Sequence, residues 1–403
     1  MSKEEEYSRT NYGRTAYVNF FQKPTAAYFL IVASTSLLTG LGIVMVLSSS
    51  SVMAFETTGS TYSIFLKQLL FIALGGSALY LAIHLKRALW EKVARTALVI
   101  GGVTLILPFA PVIGKNINGN RAWIGFGSFT IQPSEFAKIL LILWCSLIMR
   151  RFHDRNEERG PFDLLKTLAP APMIFLVVIM AGKDLGTALI VMGIAFVMLF
   201  IAGVDSRVLL GTALLGMMGV AFFVVTSPNR LQRFSAFLHP FSPSVYKLAG
   251  WQTAHSIMGL ASGGFFGVGL GASRQKWANL SEANTDFIFS VIGEELGLLG
   301  TLIVLTMYAA LIYGILRTAL HTKDLFYKYA CAGIGAWFLL QVIVNIGSDI
   351  GLLPVVGVSL PFISYGGSAL IADFIGVGFV LSVIRRDPEV RAALRAKRQA
   401  KAE

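Results

Sequence analysis

Ten stretches of almost uninterrupted apolar sequence decide what this chain can become. They lie at about 27–47, 65–83, 97–113, 134–149, 168–182, 186–202, 209–226, 287–316, 329–347 and 369–384. A bilayer offers no partner to a bare N–H or C=O, so apolar runs of about 17–25 residues cross it as helices. The expected fold is an all-α polytopic membrane protein with ten transmembrane helices. Only 14% of the residues are charged, against about 25% in soluble domains. Cys145 and Cys331 both fall inside apolar segments, so no disulfide framework is implied. Residues 1–23 are polar and mixed in charge, unlike a signal peptide.

An even number of spans puts both termini on one side. With the termini inside, 24 of the 34 Lys and Arg fall in the inner segments 1–24, 84–96, 150–167, 203–208, 317–328 and 385–403. That is the bias of cytoplasmic loops, and it accounts for the net charge of +12 without invoking nucleic acid. The expected organisation is a cytoplasmic tail (1–26), a membrane domain (27–384) and a basic cytoplasmic tail (385–403). The seven cations of the last segment suit an anionic lipid surface.

The polar residues that remain gather on the outer side. The longest outer loop, about 227–286, contains Arg230, Arg233, Lys247, Arg274 and Lys276 together with a glycine-rich tract, SGGFFGVGLGAS. The tract lacks the spacing of a nucleotide-binding loop and follows no strand, so no nucleotide site is expected. Glycines of this density let backbone approach a ligand or another segment closely. Cations outside run against the positive-inside trend and suggest an anionic ligand. Other outer pieces are NGNRAWIGFGSFTIQPSEFAK (118–138), the short link Lys183-Asp184, and the re-entrant-type LPVVGVSLPFISYGGSAL (353–370).

Asp286 ends a polar loop and opens an apolar helix. A carboxylate there is either a helix N-cap or a functional group. The eighth segment is thirty residues long, about 45 Å of helix against a hydrocarbon core of about 30 Å. If Leu296–Ile315 crosses the core, the two turns before it line a water-accessible cavity, with Asp286, Glu294 and Glu295 on its wall. Ser134 and Glu135 read equally well as the start of a helix. Lys138 is as consistent with snorkelling as with function, and Asp184 beside Lys183 with a neutralised pair. No histidine has metal-ligand spacing.

NGNRAWI, QPSEFAK, KDLGTA, SGGFFGVGLGASRQKW, TDFIFSVIGEELG and LPFISYGGS occur in this order. Together they resemble the SEDS family (shape, elongation, division, sporulation) from Ala27 to Arg386. VGLGASRQKW is more similar to the division branch, FtsW, than to the elongation branch, RodA. The chain departs from the division pattern at Ser281 and Asn284, where proline and histidine are usual, and at Lys183, where proline is common.

The resemblance implies a ten-helix peptidoglycan glycosyltransferase that polymerises lipid II at the outer membrane face during septal wall synthesis. The C4 hydroxyl of one lipid-linked disaccharide attacks the anomeric carbon of another and releases undecaprenyl diphosphate. A base must take the hydroxyl proton, and cations must balance the leaving group. Carried over residue by residue, Asp286 matches the essential Asp and is the candidate base. Its desolvated position favours a raised pKa.

Arg121, Gln132, Ser134, Glu135, Lys138, Asp184 and Ser368 are the expected substrate-binding residues. Arg121 and Lys138 are assigned to the diphosphate, with Lys276 and Lys67 as further candidates. Glu135, Asp184 and Asp286 either hold a divalent cation (Mg or Mn) or orient the cationic groups; neither nucleotide nor haem is expected. The implied partners are lipid II, the nascent glycan strand, a class B penicillin-binding protein and other division-complex membrane proteins. The small residues Ala309, Ala310, Gly314, Ala330, Gly333, Gly335 and Ala336 of the eighth and ninth segments offer a docking surface for the partner's single helix. A lipid II flippase and a non-catalytic scaffold are the rival readings. A flippase would place its ionisable groups at the midplane within internal repeats, which this sequence does not show.

The charge bias makes a topological prediction. Cysteines introduced at Ser244 and Arg391 should react with an impermeant thiol reagent from opposite sides of the membrane. Labelling of both from one side would contradict the arrangement.

Overall fold

The computed structural model describes residues 22–399 apart from 118, 127–128, 155–160, 227, 249 and 278. Most of the expected N-terminal tail lies outside the described residues. A helix covers each apolar segment. The chain runs through α1 (Ala26–Thr58), α2 (Ser63–His84) and α3 (Arg87–Ile106) into three short strands, β1 (Gly114–Ile117), β2 (Asn120–Phe126) and β3 (Phe129–Ile131). It continues through α4 (Pro133–Asp154), α5 (Pro161–Leu168), α6 (Pro170–Ala181), α7 (Leu185–Ile201) and α8 (Ser206–Val225). The long loop carries α9 (Pro228–Leu238) and α10 (Trp251–Ser262). Then come α11 (Ile288–His321), α12 (Leu325–Asp349), α13 (Gly367–Ile384) and α14 (Pro388–Gln399).

Six of these helices (α1, α2, α3, α11, α12 and α13) are long and apolar enough to cross a membrane, and a seventh if α5 and α6, bent by 43°, form one span. Apolar α7 and the apolar part of α8 are shorter. The chain is thus a multi-pass helical membrane protein. The strands are a departure from a purely helical fold. β2 pairs antiparallel with β1 (Gly114 opposite Ile124) and with β3 (Ile124 opposite Ile131), which satisfies the backbone of the outer link between α3 and α4.

The interior is built around α12 and α13, of which 78% and 83% is buried, against 11% for α2. Small residues make this possible. A Cβ added at Gly333 would lie 2.7 Å from Ile142 of α4, one at Gly335 2.9 Å from Leu316 of α11, and one at Gly314 2.8 Å from Ile31 of α1. Ala330 and Ala336 are buried as well. These residues are therefore consumed by packing within the chain, and the docking surface expected from them is not available. Of the seven, Ala309 is the one that is fully exposed. At the end of the bundle opposite the strands, Arg87 bridges Glu91 (2.8 Å) and Asp324 (2.6 Å), and Glu91 also takes Arg150 (3.0 Å).

The long eighth segment is one sequence run but two helices. At Gly297 the backbone turns to φ 68°, ψ −165°, a conformation open to glycine and costly for other residues. A break there removes two helical bonds, from the N–H of Leu298 to the carbonyl of Glu294 and from Leu299 to Glu295. The glycine-rich tract replaces them. Val268 N–H donates to the Glu294 carbonyl (3.0 Å) and Gly269 N–H to the Glu295 carbonyl (3.1 Å). In return Leu298 N–H donates to the Gly264 carbonyl (2.9 Å) and Leu299 N–H to the Phe265 carbonyl (3.1 Å). The tract is an inserted loop that lets a membrane helix stop and restart with its backbone satisfied.

The same contact corrects the expectation for Glu294 and Glu295. Both are 1% exposed, held in the interior and not on an open wall. Glu294 accepts from Ser273 Oγ, from the N–H of Arg274 (3.1 Å) and from that of Gln275 (3.4 Å). Glu295 accepts from Ser48 Oγ of α1 (2.6 Å) and from Ser273 N–H (3.3 Å). Buried carboxylates persist only where donors meet them, and the 273–275 segment that ends the tract, with Ser48 of α1, delivers those donors.

Substitution at Gly267 tests this reading. Its φ is 82°, and a Cβ would lie 2.1 Å from the Glu295 carbonyl. Gly267→Ala should cost about 1–3 kcal/mol in backbone strain and displaced hydrogen bonds, read as a lower unfolding temperature and a reduced folded yield. Unchanged stability would contradict the pairing.

Candidate functional site

Asp184 organises the outer end of the bundle. It caps α7 through the Thr187 N–H (3.1 Å to Oδ1), while its Oδ2 accepts from Gln132 Nε2 (2.8 Å) and Ser134 Oγ (3.5 Å). Gln132 N–H in turn donates to Ser368 Oγ at the start of α13 (3.1 Å). Four of the expected residues thus join one network across α4, α7 and α13. The anticipated Lys183–Asp184 pair does not form. Lys183 adopts φ 64°, which turns Asp184 inward, where it is 7% exposed, and leaves the lysine exposed.

Arg121 on β2 is exposed, and its N–H is tied to the Gly182 carbonyl (2.9 Å). Its side chain borders a small recess with Ser134, Asp184 and the apolar Leu105, Phe109 and Val178. A cation beside an apolar wall is the combination that a lipid-linked anion requires. Lys67 and Lys276 are half-buried, and Lys276 Nζ donates to the Gly271 carbonyl of its own loop.

One turn into α4, Lys138 is 1% exposed. Its ammonium pairs with Glu135 (2.8 Å), donates to Gln341 Oε1 of α12 (3.0 Å) and lies 4.9 Å from the centre of the Trp337 ring. Gln341 extends the chain to the Ser359 carbonyl (2.9 Å). Lys138 is therefore neither snorkelling nor facing solvent; it is a buried charge with three partners, beneath the network of Asp184.

Asp286 sits in the turn that leads into α11. Its Oδ2 faces the 353–366 loop, where a Cβ on Gly357 would lie 3.5 Å away. Burial raises its carboxyl from the ordinary range to about 7, reinforced by the carboxylates of Glu282 and Asp184. It does not cap α11 with its side chain; Phe287 holds the N-cap position and has no side-chain cap bond.

The turn is stitched to its surroundings by backbone contacts. Tyr365 N–H donates to the Asn284 carbonyl (2.8 Å), Ser364 Oγ to the Thr285 carbonyl (2.5 Å), and Asn345 Nδ2 to the Asp286 carbonyl (2.7 Å). Gln341, Asn345 and Ser364 were not singled out from sequence. The available signal was an amide inside an apolar helix, which is costly unless hydrogen-bonded.

Glu135, Asp184 and Asp286 do not assemble into a metal-ligating group. Among the described residues no three His, Cys, Asp or Glu side chains come together in that way. Glu135 is neutralised by Lys138, and Asp184 is occupied by a helix end and an amide. The arrangement is instead a half-buried carboxylate of raised basicity and, around Asp184, a small apolar recess bordered by Arg121. It can accept a proton from a hydroxyl and hold an anionic group near lipid.

The family model FTSW_RODA_SPOVE, described as a cell cycle protein, matches residues 28–388. Stage V sporulation protein E of Bacillus subtilis is 35% identical over 365 residues, covering 90% of this chain and 98% of that protein. The probable peptidoglycan glycosyltransferase FtsW of a Geobacter species is 36% identical over 359 residues, covering 89% and 96%. Among solved structures, a chain of a peptidoglycan synthase complex that coordinates polymerisation with crosslinking superposes with a TM-score of 0.70 at 27% identity, covering 88% of this chain and 97% of that one. The rod shape determining protein RodA of Thermus thermophilus gives 0.65 at 27% identity, covering 89% and 97%.

The environment of Asp286 makes a direct prediction. In an infrared difference titration against Asp286→Asn, a protonated carboxyl band should disappear as pH rises through about 7. Loss of that band near pH 4, the ordinary range, would contradict the burial described.

Proposed function

This chain belongs to the FtsW/RodA/SpoVE family of cell-cycle proteins, and from that premise we propose how it works as a peptidoglycan glycosyltransferase of the division type. The substrate is lipid II, taken from the outer leaflet, and the product is a glycan strand that grows at the septum. Both termini lie in the cytoplasm. The observation that carries the mechanism is the Asp286 carboxyl, raised to about 7 by burial and by its acidic neighbours. A base near the working pH is ionised often enough to act and basic enough to take a proton.

In the proposed step, Asp286 accepts the proton of the attacking C4 hydroxyl as oxygen bonds to the donor's anomeric carbon. The bond from that carbon to the diphosphate breaks, and the electron pair leaves with undecaprenyl diphosphate. An α-linked donor gives a β-linked product in one displacement, so no covalent enzyme intermediate is needed. Arg121, which borders the recess, and Lys183, exposed beside Asp184 in sequence, supply positive charge to the leaving group. Lys138 keeps its role in the pocket but acts from beneath. Held by Glu135 and Gln341, it fixes the start of α4, where Gln132 and Ser134 contact Asp184. No step is routed through a metal ion.

Strands without cross-links do not make a wall. The fold similarity to a chain of a synthase complex supports a transpeptidase partner, and we assign it to the class B penicillin-binding proteins. Among the described residues, the exposed apolar outer half of α11, Leu298, Leu302, Ile303 and Leu305, is a better surface for its helix than the small residues already used inside.

Asp286→Asn keeps the shape of the side chain and removes the base. Purified protein with labelled lipid II should lose at least about 100-fold in polymerisation rate while folding and partner binding persist. A rate within about threefold of the parent would remove Asp286 from the chemistry.

A further inference from the structure

Two residues near the end of α12 stand where they harm their own helix. Asn345 is an amide in an apolar membrane helix, 2% exposed, and Asp349 is a carboxylate in the last turn, 0% exposed. The first costs desolvation; the second sets negative charge at the negative end of the helix dipole. Neither serves α12. Four positions apart, they lie on one face, and both reach the turn that carries Asp286.

Asn345 spends both amide hydrogens on two carbonyls from separate segments, Asp286 and Val358, each at 2.7 Å. It therefore locks the Asp286 backbone against the 353–366 loop. On the other side of the same turn, Asp349 Oδ2 accepts from Ser290 N–H at 3.2 Å. Ser290 lies in the first turn of α11, where N–H groups lack full helical partners and where the chain offers no acidic residue or side-chain cap of its own. Its N–H is shared with the Phe287 carbonyl (3.1 Å). Asp349 is thus a cap supplied from a neighbouring helix. Ser256 Oγ donates to the Asp349 carbonyl (2.8 Å) and Ser290 Oγ to the Ser256 carbonyl (2.7 Å), which closes the assembly through α10.

We propose that Asn345 and Asp349 are positioning residues, a two-point clamp from α12 that fixes the Asp286 carboxylate relative to the 353–366 loop. The inference rests on the reading of Asp286 as the base. Neither residue touches substrate; both act through the backbone on either side of Asp286. The geometry implies a division of labour. Asn345 sets where the carboxylate stands, and Asp349 sets the direction in which α11 leaves it. A displacement of about 1 Å at a reacting group costs on the order of 100-fold in rate, so the clamp should be visible in turnover and not in substrate affinity.

The test is steady-state polymerisation of labelled lipid II by the purified full-length protein and four variants. Asn345→Leu, which keeps volume and removes both donors, should lower kcat about 30-fold or more with KM within about twofold. Asp349→Leu should lower kcat about tenfold, whereas Asp349→Asn should stay within about threefold, because its amide oxygen can accept the same Ser290 N–H. If Asn345→Leu does not fold, Asn345→Ala carries the test, since it also removes both donors and kcat should fall alike. A normal kcat in a folded Asn345 variant overturns the clamp, and so does equal loss in Asp349→Asn and Asp349→Leu. Asp286→Ala, run in parallel, separates the two layers. An active Asp286→Ala refutes the base itself, and an inactive one beside a normal Asn345→Leu refutes only the clamp.

Discussion

Four backbone hydrogen bonds between the 264–269 tract and the break at Gly297 are the constraint on which the outer half of this protein depends. A single straight helix from Ile288 to His321 would carry its first turns far out of the membrane. Broken at Gly297, the run becomes a membrane span and a short outer helix whose start is free to pack against α12 and the 353–366 loop. Asp286 stands at that start. The break is tolerated because the inserted loop returns each lost hydrogen bond, and the neighbouring carboxylates Glu294 and Glu295 hold its far end through the N–H groups of Arg274 and Ser273. A glycine tract that resembles a phosphate loop in composition is thus a structural splint.

The site assembled around this frame separates charge by depth. Lys138 and Glu135 neutralise each other in the interior, where an isolated charge would be prohibitive. Asp184 is committed to amide, hydroxyl and helix-end donors. Asp286, by contrast, has no cation paired to it and faces the 353–366 loop, while Arg121 borders the recess that Ser134 and Asp184 line and Lys183 is exposed. Burial without a positive partner leaves a carboxylate basic; a close lysine would have made it a weaker base. The division between a neutralised interior and an unneutralised rim suits proton transfer from a sugar hydroxyl beside an anionic leaving group.

Much of this was legible in the chain itself. A helix covers every apolar run, because lipid allows little else, and six ordered motifs identified the family. Asp286 stood out locally as a carboxylate where a polar loop meets an apolar helix, whereas Asp184, Gln132, Ser134 and Ser368 were pointed to by the family resemblance, and the structure joins those four in one network. Features built on distant pairing were not legible. The roles of Glu294 and Glu295 depend on donors about twenty residues upstream, and the small strands at 114–131 are stabilised by pairing with one another. The glycines and alanines of α11 and α12 looked like an external docking surface because composition does not reveal which face of a helix points inward. Asn345 and Asp349 were hidden for a related reason: their purpose belongs to a neighbouring helix.

The central claim is that the half-buried carboxylate of Asp286, with no cation paired to it, takes the proton in the glycosyl transfer. The dependence of kcat on pH under saturating lipid II tests it most directly. A base must be ionised before it can accept a proton, so the rate should fall about tenfold per pH unit below a single limb centred near 7. A rate that stays constant from about pH 8 down to about pH 5, where only an ordinary carboxylate remains ionised, would contradict the account.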